Sequence, residues 1–390
     1  MKIGVYIHIP FCRFKCSYCD FNAFAGMKSL YEPYARAVAR EISALKYLHG
    51  KQAQGPQLQA LAAETIYFGG GTPSLLPLPM LAEILSACHD SFSVASNAEI
   101  SLEANPGTAT AAYLEGLRAL GVNRLSLGVQ SAHQAELDFF KRGHSFADAI
   151  EAVKMARTAG FDNLNVDLIY GIPHQTLAMW QETVKRTLEL APDHVSMYCL
   201  TVEDRTTLAL WVKRGQVPLP DDDLAADMVT WADEEWAASG LTRYEVSNWA
   251  GRTDFQCRHN LVYWRNEPYL GFGAGAHSSF YGKRFWNVDH PRKYVQSIES
   301  GHNAVAGSED IGRELEMGET MMLGLRLAEG VRFTWFEERF RIPMDQVYAK
   351  EMNKLEKQGL IEIDHAGVRL TRRGWLLGNR VFAAFLPVAE

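Results

Sequence analysis

The 390-residue chain predicts an α/β fold, a partial (β/α)6 barrel followed by a C-terminal winged-helix-like domain. Three observations carry that expectation. Short apolar, β-branched runs recur at 3–9, 65–68, 99–103, 124–129, 163–170 and 194–200, and each leads into a stretch with helical periodicity. Runs such as Val166-Asp-Leu-Ile-Tyr170 are almost continuously apolar, as strands buried on both faces of a parallel sheet must be. Six such units are too few for the eight of a closed barrel, so an open, partial one is the economical arrangement.

Taken in order, the first run ends in a cysteine-rich loop, and the second ends at Gly69-Gly-Gly-Thr-Pro73. Both therefore sit at carboxyl ends of strands, where sites in parallel α/β folds collect. The third, fourth and fifth runs carry Glu103, Gln130 and Asp167 at or near their ends. After the sixth, Asp221-Asp-Asp223 opens a helix with acids at the positive end of its dipole. Leu224, Met228, Trp231 and Trp236 keep the apolar stripe and Gly240 stops it. From Thr242 to about Gly307 the sequence turns aromatic-rich and Gly-rich with weak periodicity. Beyond Glu309, helices are expected over 314–327 and 344–358 and a small hairpin over 359–363 and 368–370. The expected organisation is thus a barrel over 1–240, an extension over 241–308 and a C-terminal domain over 309–390.

Composition narrows the function. Lys and Arg number 39 against 46 Asp and Glu, a net charge of −7, and the basic residues of the C-terminal segment are interleaved with acids. Nucleic-acid binding rests on clustered cations, so no nucleic-acid partner is expected. Cys88, Cys199 and Cys257 lie far apart with no disulfide-framework spacing, which points to a reducing compartment. Neither a leader nor an apolar run of membrane-spanning length is evident, so no integral membrane segment is expected and the chain is read as cytoplasmic.

The spacing Cys12-x-x-x-Cys16-x-x-Cys19 supplies three thiolates. A 4Fe-4S cluster held by three leaves one iron open to a ligand that is not protein. Structural zinc closes a shell of four, for which His8 or Asp20 would have to serve, and a zinc-stabilised interaction protein is that alternative. Phe11, Phe14, Tyr18 and Phe21 could dry the loop, while Arg13 and Lys15 work the other way on its potential. The glycines 69–71 suit close backbone approach to a ligand or, equally, a tight turn. Asp167 inside an apolar strand needs a partner; Arg142 could be one, in a buried ion pair. Cys257-Arg-His-Asn-Leu-Val-Tyr-Trp264 places His259 beside aromatics, which suits either a structural histidine or an axial iron ligand, with Tyr263 and Trp264 able to stack on a porphyrin. Cys257 is a weaker candidate ligand, and His277 fits a structural place.

The cysteine triad in its frame Tyr6-Ile-His-Ile-Pro-Phe-Cys12 to Cys19-Asp-Phe21 resembles the radical S-adenosylmethionine (SAM) superfamily, and within it the oxygen-independent coproporphyrinogen III oxidase-like branch. His259-Asn-Leu-Val-Tyr-Trp264, and Phe21 where the oxidases continue with a further cysteine, are similar to the HemW-type haem chaperones of that branch. The resemblance runs essentially full length. It implies a 4Fe-4S cluster on Cys12, Cys16 and Cys19, with SAM chelating the open iron and one electron able to cleave its S–C bond. It also implies SAM contacts from Tyr6, Tyr18, Gly70, Gly71, Thr72, Glu103, Gln130, Arg142 and Asp167. Haem binding is implied for His259, Asn260, Tyr263 and Trp264, with apo-haemoproteins as acceptors and a low-potential electron donor such as a flavodoxin or ferredoxin. Coproporphyrinogen III oxidation and a related radical SAM methyl transfer remain the enzymatic alternatives.

Overall fold

In the computed structural model, which describes residues 1–48 and 61–387, one twelve-stranded sheet organises most of the chain. Six strands lie side by side in chain order and pair in parallel: β1 (Lys2–Ile9), β2 (Ala62–Gly70), β3 (Ser93–Ala104), β4 (Arg124–Gln130), β5 (Asn163–Tyr170) and β6 (His194–Cys199). Helices α1 (Tyr31–Leu48), α2 (Leu78–Ser91), α3 (Ala111–Ala119), α4 (Gln134–Phe139), α5 (Phe146–Thr158) and α6 (Leu177–Leu188) make the crossovers between them. Every residue of β4 is buried, which is why its sequence shows no alternation. The strand β3 runs six residues further toward its amino end than hydrophobicity predicts, because Ser93 and Val94 continue the ladder with Ala62 and Ala63 although that end is polar.

After β6 come α7 (Thr207–Lys213) and α8 (Asp222–Ala238). The Asp221 carboxylate caps α8 by accepting from the Leu224 N–H, and Trp236, fully buried, anchors its inner face. Losing that indole would cost about 3–5 kcal/mol.

The weakly periodic stretch after Thr242 supplies strands to this same sheet. Two, β7 (Thr242–Glu245) and β8 (Asn248–Ala250), add antiparallel beyond β6. Past α9 (Arg258–Trp264), β9 (Tyr269–Phe272) returns to the opposite side and pairs in parallel with β1, from Gly4↔Tyr269 to Ile7↔Phe272. An antiparallel meander of β10 (His277–Phe280), β11 (Lys283–Asn287) and, after α10 (Pro291–Glu299), β12 (Val305–Asp310) completes that edge. Strands of three to six residues are too short for a periodic signature, so their place came from pairing.

A second hydrophobic core, from Met317 to Phe385, holds the C-terminal segment. It combines α11 (Arg313–Gly324), α12 (Phe333–Phe340) and α13 (Met344–Lys357) with a three-stranded sheet of β13 (Val331–Arg332), β14 (Ile361–Ile363) and β15 (Gly367–Leu370), in the order β13-β15-β14. The segment is fastened to the main sheet where the Val246 N–H donates to the Arg326 carbonyl and the Ala328 N–H to the Tyr244 carbonyl, each at 2.9 Å. The Arg339 guanidinium also donates to the carbonyls of Arg265 and Asn266, at the end of α9. Among the described residues, no helix is long and apolar enough to cross a membrane.

Candidate functional site

A cavity of about 630 Å³ opens at the carboxyl ends of the parallel strands. Tyr6 of β1, Tyr67 of β2, Glu103 of β3, Gln130 of β4, Asp167 of β5 and Tyr198 of β6 all line it, so the sheet curves around one space as a partial barrel does.

All three cysteines of the first loop line this cavity. Pro10 and Phe11 leave β1, and the Phe24 N–H closes the loop onto the Pro10 carbonyl at 2.7 Å. The Thr72 hydroxyl donates to Cys12 Sγ and the Arg142 guanidinium to Cys16 Sγ, both at 3.6 Å, bonds of the kind that support thiolate charge at a cluster. Burial pushes the Cys12 thiol up and that of Cys19 up to about 11, so thiolates here need a cationic partner such as cluster iron. Among the described residues, no group of three or more His, Cys, Asp or Glu side chains converges to hold a metal ion. A 4Fe-4S cluster would take the three thiols on separate irons, so they need not meet at one point. The proposed zinc partner His8 is committed elsewhere: one ring nitrogen bonds the Tyr6 hydroxyl at 3.0 Å and the other the Asn22 carbonyl at 2.9 Å. The expected drying of the loop is partial. Phe11 is buried and Tyr18 packs edge-on against Phe140, whereas Phe14 is 38 % and Phe21 65 % exposed. Both rings stand at the open side of the cavity, Phe14 against Gly143.

Beside the start of the cysteine loop, the strand β2 ends in a turn packed so closely that no side chain fits. A Cβ on Gly70, whose φ is +115°, would lie 2.5 Å from the His8 ring, and one on Gly71 would lie 2.6 Å from the Phe11 carbonyl. The Glu103 carboxylate accepts from the Gly70 N–H at 3.2 Å and the Tyr67 hydroxyl at 2.8 Å. Burial, then nearby Asp167, pushes its pKa up to about 7. Such a carboxyl suits the hydroxyls or cationic groups of a ligand. A carboxyl held this way on the cavity wall, beside a backbone where only glycine fits, suits the amino group or hydroxyls of SAM.

Asp167 and Arg142 do not form the ion pair anticipated above. Asp167 accepts from Ser126 Oγ and Asn165 Nδ2, at 2.9 and 2.8 Å. Arg142 donates to the Gly128 carbonyl at 2.7 Å as well as to Cys16. Short hydroxyl and amide side chains on the same strands reach Asp167 first. Gln130, at the end of β4, adopts a left-handed φ of +72° and lines the cavity.

Helix α9 closes another wall. His259, Asn260 and Tyr263 line the cavity; Trp264 does not. The Trp264 ring instead takes the Arg326 guanidinium at 5.3 Å, at the junction with the C-terminal segment, because on a helix it points to a different face from His259. Trp264 thus stands apart from the cavity that His259 and Tyr263 line. His259 is 1 % exposed, with Nδ1 bonded to Thr65 Oγ1 at 2.8 Å and Nε2 to the Tyr263 hydroxyl at 2.9 Å, and its ring stacks on Tyr67. Burial, aided by Arg124, lowers its pKa to about 3, so the imidazole is neutral, with both nitrogens engaged. Cys257 is buried and donates to Glu99, away from the cavity lining.

Sequence reasoning passed over Tyr67, Glu99 and Arg124. Arg124 is 2 % exposed and lines the cavity, and its buried Nε has no hydrogen-bond partner among the described residues. Glu99 receives the N–H groups of Arg258 and His259 and so holds the start of α9. An acid and a base inside otherwise apolar strands were the available signals.

Comparison with known proteins agrees with this architecture. The radical SAM superfamily matches residues 6–187 and the HemN C-terminal domain residues 313–377. The chain is 40% identical over 343 residues to the heme chaperone HemW of Synechocystis, covering 86% of this chain and 80% of that one. To heme chaperone HemW of Bacillus subtilis it is 35% identical, covering 98% of this chain and 99% of its relative. Among solved structures, the coproporphyrinogen III oxidase of Escherichia coli superposes with a TM-score of 0.82 at 24% identity, over 98% of this chain and 89% of that one, a likeness of fold. With a six-strand parallel wall, three thiols at its mouth and relatives at this identity over most of both chains, the chain belongs to the HemW family of the radical SAM superfamily.

Proposed function

We propose that this chain is a haem chaperone that carries a 4Fe-4S cluster on Cys12, Cys16 and Cys19, binds SAM against Gly70, Gly71, Thr72, Glu103, Gln130, Arg142 and Asp167, and hands haem to apo-haemoproteins. The observation that carries it is the convergence of the cysteine loop, the Gly70–Glu103 cradle and the α9 face of His259 and Tyr263 on one cavity, in a member of the HemW family. Bound, the cluster supplies one electron at low potential to SAM, drawn from a flavodoxin- or ferredoxin-like donor. The chain's own part is to position. Thr72 and Arg142 support sulfur charge, Tyr6 and Tyr18 wall the cavity, and Glu103 offers a carboxyl poised near neutrality.

For iron ligation, His259 Nε2 must be released by the Tyr263 hydroxyl, while Thr65 continues to hold Nδ1 and fix the ring. At 1 % exposure the ring also requires α9 to yield. Asn260 and Tyr263 then face the ligand. All six cysteines are free thiols, which supports a reducing, cytoplasmic setting. The test is anaerobic purification followed by a visible spectrum before and after haem, and transfer of that haem to apomyoglobin as probe acceptor. A histidine-type Soret band and transfer are expected. Robust conversion of coproporphyrinogen III under reducing, SAM-replete conditions would replace this function by the oxidase.

A further inference from the structure

We propose that Glu136, with Gln175, is a positioning residue for the SAM site: its buried carboxylate staples the turn after β4 to the turn after β5 and sets where Gln130 and Arg142 stand. The inference rests on the SAM role given to that cavity above. Glu136 lies in α4 and is 5 % exposed. Its Oε2 accepts from the Ser131 hydroxyl at 2.5 Å and from Gln175 Nε2 at 3.2 Å. Gln175 in turn accepts, through Oε1, the N–H groups of Gly171 at 3.0 Å and Ile172 at 3.3 Å, just beyond β5. The Ser131 hydroxyl also receives the His133 N–H at 2.9 Å. One carboxylate therefore ties two strand ends together.

What it holds is costly to hold. Glu136 Oε1 is buried without a partner, and among the described residues no cation forms an ion pair with this carboxylate. A carboxylate buried with one oxygen unpaired and no cation beside it carries a desolvation penalty. Immediately before Ser131, Gln130 sits in the left-handed region that non-glycine residues avoid, at a bulge in the β4–β5 ladder. Gln130 points into the cavity from that turn.

The far end of α4 carries the cysteine loop. The Ser17 N–H donates to the Phe140 carbonyl at 3.2 Å and its hydroxyl to the Phe139 carbonyl at 2.8 Å. The Arg142 N–H donates to the Leu137 carbonyl at 2.9 Å, and its guanidinium reaches Cys16. Helix α4 is thus a short bracket between the thiols and the ends of β4 and β5, and Glu136 is the group that fixes its amino end.

The experiment uses the full-length, anaerobically reconstituted protein and three variants, Glu136→Leu, Glu136→Gln and Gln175→Leu. Iron and sulfide content, thermal midpoint, SAM affinity by calorimetry and the SAM-induced change in the electron paramagnetic resonance spectrum are compared. Glu136→Leu should keep its cluster, lose some thermal stability because Ser131 and Gln175 are left without their acceptor, and bind SAM about tenfold more weakly, the usual scale for losing an outer-shell support. Its spectrum should respond less to SAM. Glu136→Gln keeps an acceptor for Ser131 and should recover most of the affinity. Should Glu136→Leu fail to fold, Gln175→Leu, which cuts the staple from the other side, must show the same selective loss. Wild-type protein that binds no SAM overturns the SAM reading and this inference with it. SAM binding by wild type, Glu136→Leu and Gln175→Leu alike overturns the inference alone, as does a loss in Leu and Gln variants alike that tracks thermal midpoint.

Discussion

Adding one methyl group at Gly70 tests the cradle directly. The residue holds φ at +115°, so an alanine there is strained by about 1–2 kcal/mol. Its Cβ would also lie 2.5 Å from His8 Cε1 and 2.6 Å from Nδ1. The ring cannot stay, and moving it endangers the bonds to the Tyr6 hydroxyl and the Asn22 carbonyl, each worth about 1 kcal/mol. The total is about 3–4 kcal/mol. Gly215→Ala is the control, since φ there is +66° and nothing lies within 4 Å of the added carbon, leaving only the backbone strain. Urea denaturation of both variants should place Gly70→Ala about 2 kcal/mol below Gly215→Ala. SAM affinity should fall only in Gly70→Ala, because its N–H holds Glu103. If the two variants are equally stable and bind SAM alike, the account of this cradle is wrong.

Replacing any one of Cys12, Cys16 or Cys19 by Ala should remove most of the iron and labile sulfide, about four of each per chain in the wild type, whereas Cys88→Ala should not; iron analysis decides it. His259→Ala should weaken haem binding and alter the Soret band while the cluster survives, since the ligands differ; an unchanged haem titration would remove His259 as ligand. Glu41 is half-buried as a residue, its carboxylate accepts from the Gly273 N–H, Asn287 and Tyr294, and desolvation raises its pKa to about 7. The folded state then holds a proton that the unfolded state has lost between about pH 4.5 and 7, so this group's contribution declines as pH rises through that window, by at most about 1.4 kcal/mol per unit. Glu41→Gln should therefore flatten the pH dependence of the urea midpoint there, and an unaltered slope would count against it.

How far the sequence carried depended on the range of each signal. The runs that became β1 to β6 are local patterns of apolar, β-branched residues; five fall inside observed strands and the sixth overruns its strand by one residue, Leu200. Asp221 and Gly240 bounded α8 for equally local reasons, a capping bond and a positive φ. The strand β9 carries four residues and no periodicity; it exists because β1 offers a free edge more than 260 residues earlier in the chain. The helix α12, by contrast, carried a short stripe at Phe333, Phe336 and Phe340 that the sequence reading passed over, and the second core is what its buried rings pack into.

The chemistry divides along the same line. Spacing alone put three thiols on one loop after the first strand, because neighbouring residues cannot separate far. Only the tertiary structure decided what those thiols meet. Arg142 reaches Cys16 across 126 positions and leaves Asp167 to Ser126 and Asn165. Thr65 holds His259 from 194 positions away, and helix geometry turns Trp264 out of the cavity that His259 and Tyr263 face. Those outcomes depend on which side chain of several candidates arrives within hydrogen-bond reach, a matter of ångströms set by the curvature of a sheet and the docking of helices on it. Residue type and spacing determine which groups can do the chemistry; close packing of distant segments determines which of them are left free to do it.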